Sequence, residues 1–175
     1  MKLPSNTIFA YPRKSEYPGA FNPTVEKVIK EIIEGKYCVH LFSGSSTLGK
    51  IRVDIKHKNA NCNENVYDFC QEYNVIVGKP INQKSILLMD PDYAVQRKHL
   101  KLKPHGINSS IGGNVLAHKI LNDFISNIGF DEILILELAS PTFKNYDEIF
   151  WWRVKTGGWQ HNRTLTWYRR KSERL

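Results

Sequence analysis

The sequence predicts a single α/β domain whose sheet is mostly parallel and ends in an antiparallel hairpin. Most predicted strands are continuous apolar runs, which is typical of strands covered on both faces, and they alternate with segments of helical periodicity. Near the C-terminus, two aromatic and β-branched runs flank Thr156-Gly157-Gly158, a hairpin pattern. The 175 residues are 41% hydrophobic and show no repeat or composition break, so we expect one domain with a real core.

The N-terminal helix is the element that the sequence defines most clearly. Residues 1–21 show no sustained period, so we expect an extended arm there. Asn22 is a good N-cap and Pro23 fits the first helical position, while Gly35 is typical of a helix end. The apolar positions between them fall at helical spacing on one stripe: Val25, Val28, Ile29, Ile32 and Ile33.

The other elements follow as short apolar runs and one further helix. We predict strands over 37–42, 51–55, 65–69, 85–89 and 132–138, a helix over 114–128, and hairpin strands over 149–154 and 164–168. Only eight residues separate Phe42 from Ile51. A helical crossover between parallel strands takes a dozen or more, so we expect no full helix there.

Composition excludes several classes of protein. No apolar run approaches the roughly 20 residues of a membrane span, and no signal-peptide pattern occurs, so we expect a cytoplasmic protein without a membrane partner. Three Cys cannot all pair within one chain, and none stands in a C-x-x-C spacing. The six His form no H-x-x-x-H or H-E-x-x-H pair, and neither a G-x-S-x-G elbow nor a Walker loop is present. We therefore expect no metal.

Positive charge is concentrated in places. The formal net charge is +8, and a cluster of four cations lies in the long segment after the fourth predicted strand: Arg97, Lys98, Lys101 and Lys103. Solvated surface is the common fate of such residues. A polyanion releases counterions to each cation that meets it, so the cluster is also a candidate contact for nucleic-acid phosphates.

Three polar spots stand directly after predicted strands, where open α/β sheets bind ligands. The small-residue turn 43–46 allows backbone N–H groups to approach a ligand. Asp54, near the end of the next strand, could accept hydroxyl hydrogen bonds from a ribose. Asp90, Pro91 and Tyr93 follow the strand over 85–89. Taken singly, an ordinary turn or a capping acid explains each spot as well.

In this order the three spots resemble class I S-adenosylmethionine-dependent methyltransferases. The segment Phe42-Ser43-Gly44-Ser45-Ser46 looks like the F-x-G-x-G loop of the family, with Ser46 in place of the second Gly. The segment Asp90-Pro91-Asp92-Tyr93 is similar to the D-P-P-Y motif of the enzymes that methylate exocyclic amines of adenine or cytosine, with Asp92 in place of the second Pro. Upstream, the segment 17–23 looks like their F-x-P segment, and the resemblance runs over about the whole chain.

The resemblance implies a compact Rossmann-like sheet, the cofactor S-adenosylmethionine, and methyl transfer to an exocyclic amine of a base in nucleic acid, with DNA favoured over RNA. Asp90 and the Pro91 carbonyl would hold the amine, and Tyr93 would stack on the base. Asp54 would bind the ribose, and Asp68, at the end of the strand over 65–69, would lie beside the adenine. The remaining residues implied for the cofactor are Phe21, Pro23, Phe42, Ser43, Gly44 and Ser45.

Two alternatives stay open at this point. The first is a catalytically inactive, basic nucleic-acid-binding module on a methyltransferase scaffold, which would keep the positive charge but would not transfer methyl groups. A methyltransferase of a small molecule or protein would keep the cofactor loop, and its basic cluster would be incidental. From the 175 residues we expect no separate target-recognition domain.

Overall fold

A seven-stranded mixed sheet with helices on both faces forms the fold. The computed structural model describes residues 6–10, 21–55, 57–72, 82–91, 115–137, 140–156 and 163–172. The elements in chain order are β1 (Thr7–Ala10), α1 (Pro23–Ile33), β2 (Tyr37–Leu41), β3 (Ile51–Val53), α2 (Val66–Glu72), β4 (Ser85–Met89), α3 (Val115–Ile128), β5 (Glu132–Glu137), β6 (Tyr146–Thr156) and β7 (Arg163–Arg170).

The strand order across the sheet is β1-β6-β7-β5-β4-β2-β3. Strands β3, β2, β4 and β5 pair in parallel, as do β1 and β6, and only β7 runs antiparallel to its two neighbours. The predicted mostly parallel α/β sheet with a C-terminal antiparallel hairpin is therefore confirmed. From β2 the chain moves first to β3 on one side and later to β4 on the other, so β2 and β4 flank a topological switch point.

The core divides into two layers because successive side chains of a strand point to opposite faces. One layer lies under α1 and includes Ile86 and Leu88 of β4. The other lies under α2 and α3 and includes Leu87 and Met89. All four of these side chains are fully buried, which explains why β4 reads as an uninterrupted apolar run.

Helix α1 begins and packs as its sequence predicts. Asn22 caps it, since its side chain accepts a hydrogen bond from the backbone N–H of Thr24 at 3.0 Å. Pro23 is the first helical residue, and Val25, Ile29 and Ile32 are buried against the sheet. Each such side chain contributes roughly 1.5–3 kcal/mol by leaving water. Glu34 ends the helix, and Gly35 takes a φ of 70° in the turn to β2.

The prediction of a strand over 65–69 is wrong, because these residues belong to helix α2. The Asn65 side chain accepts a hydrogen bond from the Tyr67 N–H at 2.9 Å, and its carbonyl accepts one from Phe69 at 2.9 Å. This is an N-cap arrangement. The buried residues Val66, Tyr67, Phe69 and Cys70 follow helical spacing.

The predicted extended arm is extended over the residues described, but it also joins the sheet. Strand β1 pairs in parallel with β6, with Thr7 opposite Arg153 and Ala10 opposite Thr156. Residues 11–20 lie outside the described part of the chain. The connection over 43–50 contains no helix, as its short length predicts.

Candidate functional site

Three sequence-predicted site residues come together at the carboxyl edge of the sheet. Leu41 at the end of β2 is the Cα partner of both Val53 in β3 and Met89 in β4. The residues that follow these three are Phe42, Asp54 and Asp90. Adjacent strands lie about 4.8 Å apart, so the glycine-containing turn after Phe42 has one carboxylate-bearing strand on each side.

The turn after β2 has an unusual backbone. Phe42 has a φ of 58° and Gly44 a φ of 50°; a positive φ at a bulky residue is a strained conformation that the surroundings must hold. The Phe42 ring is buried edge-on against Tyr67, with centroids 5.8 Å apart. The Ser43 N–H donates to the Val53 carbonyl at 3.0 Å, and the Ser46 N–H donates to the Ser43 carbonyl at 2.9 Å.

Asp54 holds this turn in place. Its carboxylate is buried, and Oδ2 accepts a hydrogen bond from the Gly44 N–H at 2.9 Å while Oδ1 accepts one from the His57 N–H at 3.2 Å. Asp54 therefore anchors the turn.

A second polar loop, which sequence reasoning missed, lies against the first. The Asn59 side-chain amide donates to the Ser45 carbonyl at 2.7 Å, and the Asn59 N–H donates to the His57 ring at 3.2 Å. Arg52 donates to the Asn59 carbonyl at 2.8 Å. The signal for this loop is the run of His, Lys, Asn and Ala after β3, a turn-forming composition.

Asp90 is buried directly after β4 and faces a cation. Its Oδ1 lies 3.4 Å from Nη1 of Arg163, and Pro91 beside it is also buried. Arg163 begins β7, which runs antiparallel to β5, with Thr164 opposite Glu137. The start of β7 therefore lies at the same edge as the end of β4. Sequence reasoning missed this contact, because the register of β7 against β5 that produces it depends on tertiary packing.

Ser43 supplies a buried hydroxyl. The residue is only 1% exposed, and its Oγ finds no hydrogen-bond partner among the described residues. Leaving a buried hydroxyl unpaired costs free energy, about 1–3 kcal/mol. Such a group within a turn at a switch point is a natural contact for a polar ligand.

Phe21 connects α1 to the same edge. Its ring is buried and stacks on the His40 ring, with centroids 5.5 Å apart and planes 15° apart. His40 is the residue before Leu41, so the start of α1 lies near the carboxyl end of β2. Pro23 is exposed at the first turn of the helix.

His40 is a buried neutral imidazole. Burial lowers its pKa from 6.5 to about 4, and the hydrogen bond to the Leu48 carbonyl and the charge of Asp54 oppose that shift only in part. Its Nδ1 lies 3.1 Å from the Leu48 carbonyl oxygen, which can only accept, so Nδ1 carries the proton. Nε2 then faces the interior as an acceptor.

The lowered pKa of His40 predicts a loss of stability in acid. The unfolded chain takes up a proton as the pH falls below 6.5, but the folded chain does so only near pH 4, so stability is lost across that window. At pH 5 the loss from this group is about 2 kcal/mol relative to pH 7. We expect urea unfolding at the two pH values to show this extra loss in the natural protein and not in His40→Gln. Equal losses in both proteins would contradict the prediction.

Not every predicted site residue joins the carboxyl edge. Asp68 is exposed in the first turn of α2, so its expected position at a strand end is wrong. Tyr93, Arg97, Lys98, Lys101 and Lys103 lie outside the described residues. In the part of the chain that the structure describes, no three His, Cys, Asp or Glu are grouped to hold a metal ion. None of the described helices is long and apolar enough to cross a membrane.

No protein-family model matches the chain, and no curated protein matches it. The function must therefore be inferred from the residues at the carboxyl edge.

Proposed function

We propose that the protein is an S-adenosylmethionine-dependent methyltransferase that acts on an exocyclic amine of a base in nucleic acid, with DNA favoured over RNA. The observation that carries the proposal is the alignment of Phe42, Asp54 and Asp90 on three adjacent strands at the switch point. These residues stand at positions 42, 54 and 90 of the sequence, and the sheet brings them to one edge. The antiparallel hairpin that the C-terminal sequence pattern predicts is also present.

The residues of this edge fit the cofactor. A carboxylate oxygen accepts more than one hydrogen bond, so the proposal assigns the ribose hydroxyls to Asp54 in addition to its bonds to Gly44 and His57. The buried Ser43 hydroxyl has no partner among the described residues, so a polar ligand that enters the turn would satisfy it. Phe21 borders the same edge through its stacking on His40. When bound, S-adenosylmethionine supplies a methyl group activated by its positively charged sulfur.

The acceptor side of the site is Asp90 with Pro91. An exocyclic amine is a poor nucleophile, because its lone pair is delocalised into the ring. If Asp90 and the Pro91 carbonyl accept its two N–H bonds, they hold the lone pair toward the methyl group. This step needs alignment more than proton transfer. The target base must leave a duplex to reach such a pocket.

Arg163 is a positioning residue in this proposal. Its guanidinium lies 3.4 Å from Asp90 and is itself three-quarters buried. A charged partner orients the carboxylate and offsets the cost of burying it. Arg163 does not need to touch the base to affect the reaction.

A labelling experiment tests the proposed function. The protein is incubated with S-adenosylmethionine carrying a radioactive methyl group and with DNA, RNA or free nucleosides, and the products are digested to nucleosides. We expect label on an exocyclic amine of adenine or cytosine in a polymer. Cofactor binding without any labelled product would favour the non-catalytic module. Label on a small molecule or on protein would make that class of compound, and not nucleic acid, the substrate.

The Ser43 hydroxyl gives a prediction that separates a ligand contact from a structural role. Ser43→Ala removes a buried hydroxyl without a described partner, so the free energy of unfolding should stay the same or rise. Loss of one hydrogen bond worth about 1 kcal/mol should weaken S-adenosylmethionine binding about fivefold. Calorimetry and urea unfolding of the same preparation check both outcomes. Weaker folding with unchanged cofactor affinity would show that the hydroxyl serves the fold.

A further inference from the structure

The sheet has an exposed face at β1 and β6 that the proposed catalytic edge does not use. Trp152 and Val154 of β6 point into the core under α1. Because side chains alternate along a strand, Trp151, Arg153 and Lys155 lie on the opposite face. The exposure of these residues agrees with this alternation. Trp151 and Arg153 are exposed and Lys155 is partly exposed, whereas Trp152 and Val154 are buried.

Strand β1 adds an aromatic ring to this face. Ile8 and Ala10 are buried in the core under α1, so Phe9 points the other way, beside its Cα partner Lys155. Phe9 is 60% exposed and Trp151 is 37% exposed, and these are the two exposed large hydrophobic side chains among the described residues. We call Phe9, Trp151, Arg153 and Lys155 the β1/β6 strip.

The strip alternates aromatic and cationic side chains. Lys155, the position opposite Phe9, lies four positions along β6 from Trp151. The two rings are therefore about 14 Å apart, counting the distance along β6 and across to β1. Arg153 lies between them, and the Lys155 ammonium is 5.7 Å from the centre of the Phe9 ring. Neither β1 nor the segment 151–156 contains an acidic residue.

We propose that the β1/β6 strip binds single-stranded nucleic acid, with unpaired bases stacked on Phe9 and Trp151 and phosphates paired with Arg153 and Lys155. Exposed aromatic rings on a sheet are the surface on which unpaired bases stack, and cations beside them follow the backbone. A patch that served only to bind an apolar partner would not need two cations beside its rings. A duplex does not fit, because its bases are stacked on one another.

The strip also leads toward the proposed catalytic edge. Lys155 follows Val154, which is the Cα partner of Arg163, and Arg163 contacts Asp90. Three strand spacings, about 14 Å, separate β6 from β4. A nucleic-acid strand bound across the β1/β6 strip would therefore pass close to the acceptor side of the proposed site. The binding itself does not depend on cofactor or on methyl transfer.

The test measures binding of a fluorescein-labelled oligothymidylate of about 12 nucleotides by anisotropy, without cofactor, over a series of salt concentrations. We expect Phe9→Ala and Trp151→Ala each to weaken binding about tenfold, and Phe9→Tyr to retain it, because the ring stacks. Arg153→Ala and Lys155→Ala should each lower the salt slope by about 0.7. The same sequence as a duplex should bind more weakly to the natural protein.

Lys30→Ala is the matched control, since Lys30 is an exposed cation of α1 on the other face of the sheet. Lys30→Ala should leave unchanged the contribution that stacking on Phe9 and Trp151 makes to the affinity for the oligothymidylate. It should also lower the salt slope less than Arg153→Ala does. No binding by the natural protein, or aromatic variants within twofold of it, would overturn the proposal and leave an apolar protein partner as the reason for the exposed rings. Such a result says nothing about S-adenosylmethionine binding. The proposal for the β1/β6 strip and the proposed function can therefore be contradicted separately.

Discussion

Asp90→Ala is expected to lower methyl transfer by at least roughly 100-fold, because misplacement of a reacting group by about 1 Å already costs that much. S-adenosylmethionine affinity should stay nearly unchanged, since Asp90 acts on the acceptor and in the transition state. Single-turnover labelling gives the first quantity and calorimetry the second. A variant that transfers methyl groups at the natural rate would remove Asp90 from the reaction.

Removing Asp90 also leaves the Arg163 guanidinium without the carboxylate that lies 3.4 Å away. Loss of an ion-pair partner in a three-quarters buried position destabilises the fold, and this alone can lower activity. The double variant Asp90→Ala/Arg163→Ala controls for it. We expect the double variant to regain stability and to stay inactive. Recovery of activity in the double variant would show that the guanidinium that has lost Asp90, and not the missing acceptor, caused the loss of activity.

Asp54→Ala is expected to weaken S-adenosylmethionine binding at least tenfold. Hydrogen bonds to a charged group contribute roughly 1.5–3 kcal/mol each, and the ribose would lose one or two of them. The variant also loses the bonds from Gly44 and His57, so its turn is less well held. Unchanged affinity in a folded Asp54→Ala protein would contradict the cofactor placement.

Asn59→Ala separates the two effects of Asp54. Asn59 ties the same turn through the Ser45 carbonyl, but it offers the cofactor no carboxylate. We expect Asn59→Ala to weaken binding less than Asp54→Ala. Equal losses would mean that Asp54 acts only by holding the turn.

The sequence predicted the fold well where local signals and burial agree. Helix α1 has a cap, a first-turn Pro and an apolar stripe that all indicate one element, and β4 is bounded by Asp90 and Pro91, which end the strand. The strand prediction for residues 65–69 failed because five mostly apolar residues suit either a strand or one face of a short helix. There the Asn65 cap decided the outcome. The pairing of β1 with β6 joins residues more than 140 positions apart, and no local pattern encodes such a contact.

The candidate site was predictable in its strand-end residues and not in their partners. Gly44, Asp54 and Asp90 follow apolar runs, and parallel strands bring such positions to one edge. Arg163 and Asn59 reach the site through the register of β7 and through a loop contact. Those contacts depend on tertiary packing. Asp68 was misplaced because its position rested on the strand that proved to be α2.

The central claim is that the carboxyl edge around Gly44 and Asp54 is an S-adenosylmethionine site, and a calorimetric titration of the natural protein tests it most directly. Nucleotide cofactors of another class, such as a dinucleotide, also use an acid at a strand end of an α/β sheet, so nicotinamide adenine dinucleotide is titrated in parallel. We predict saturable binding of one S-adenosylmethionine per chain and no saturable heat with the dinucleotide. Binding of the dinucleotide alone, or of neither compound, would contradict the claim.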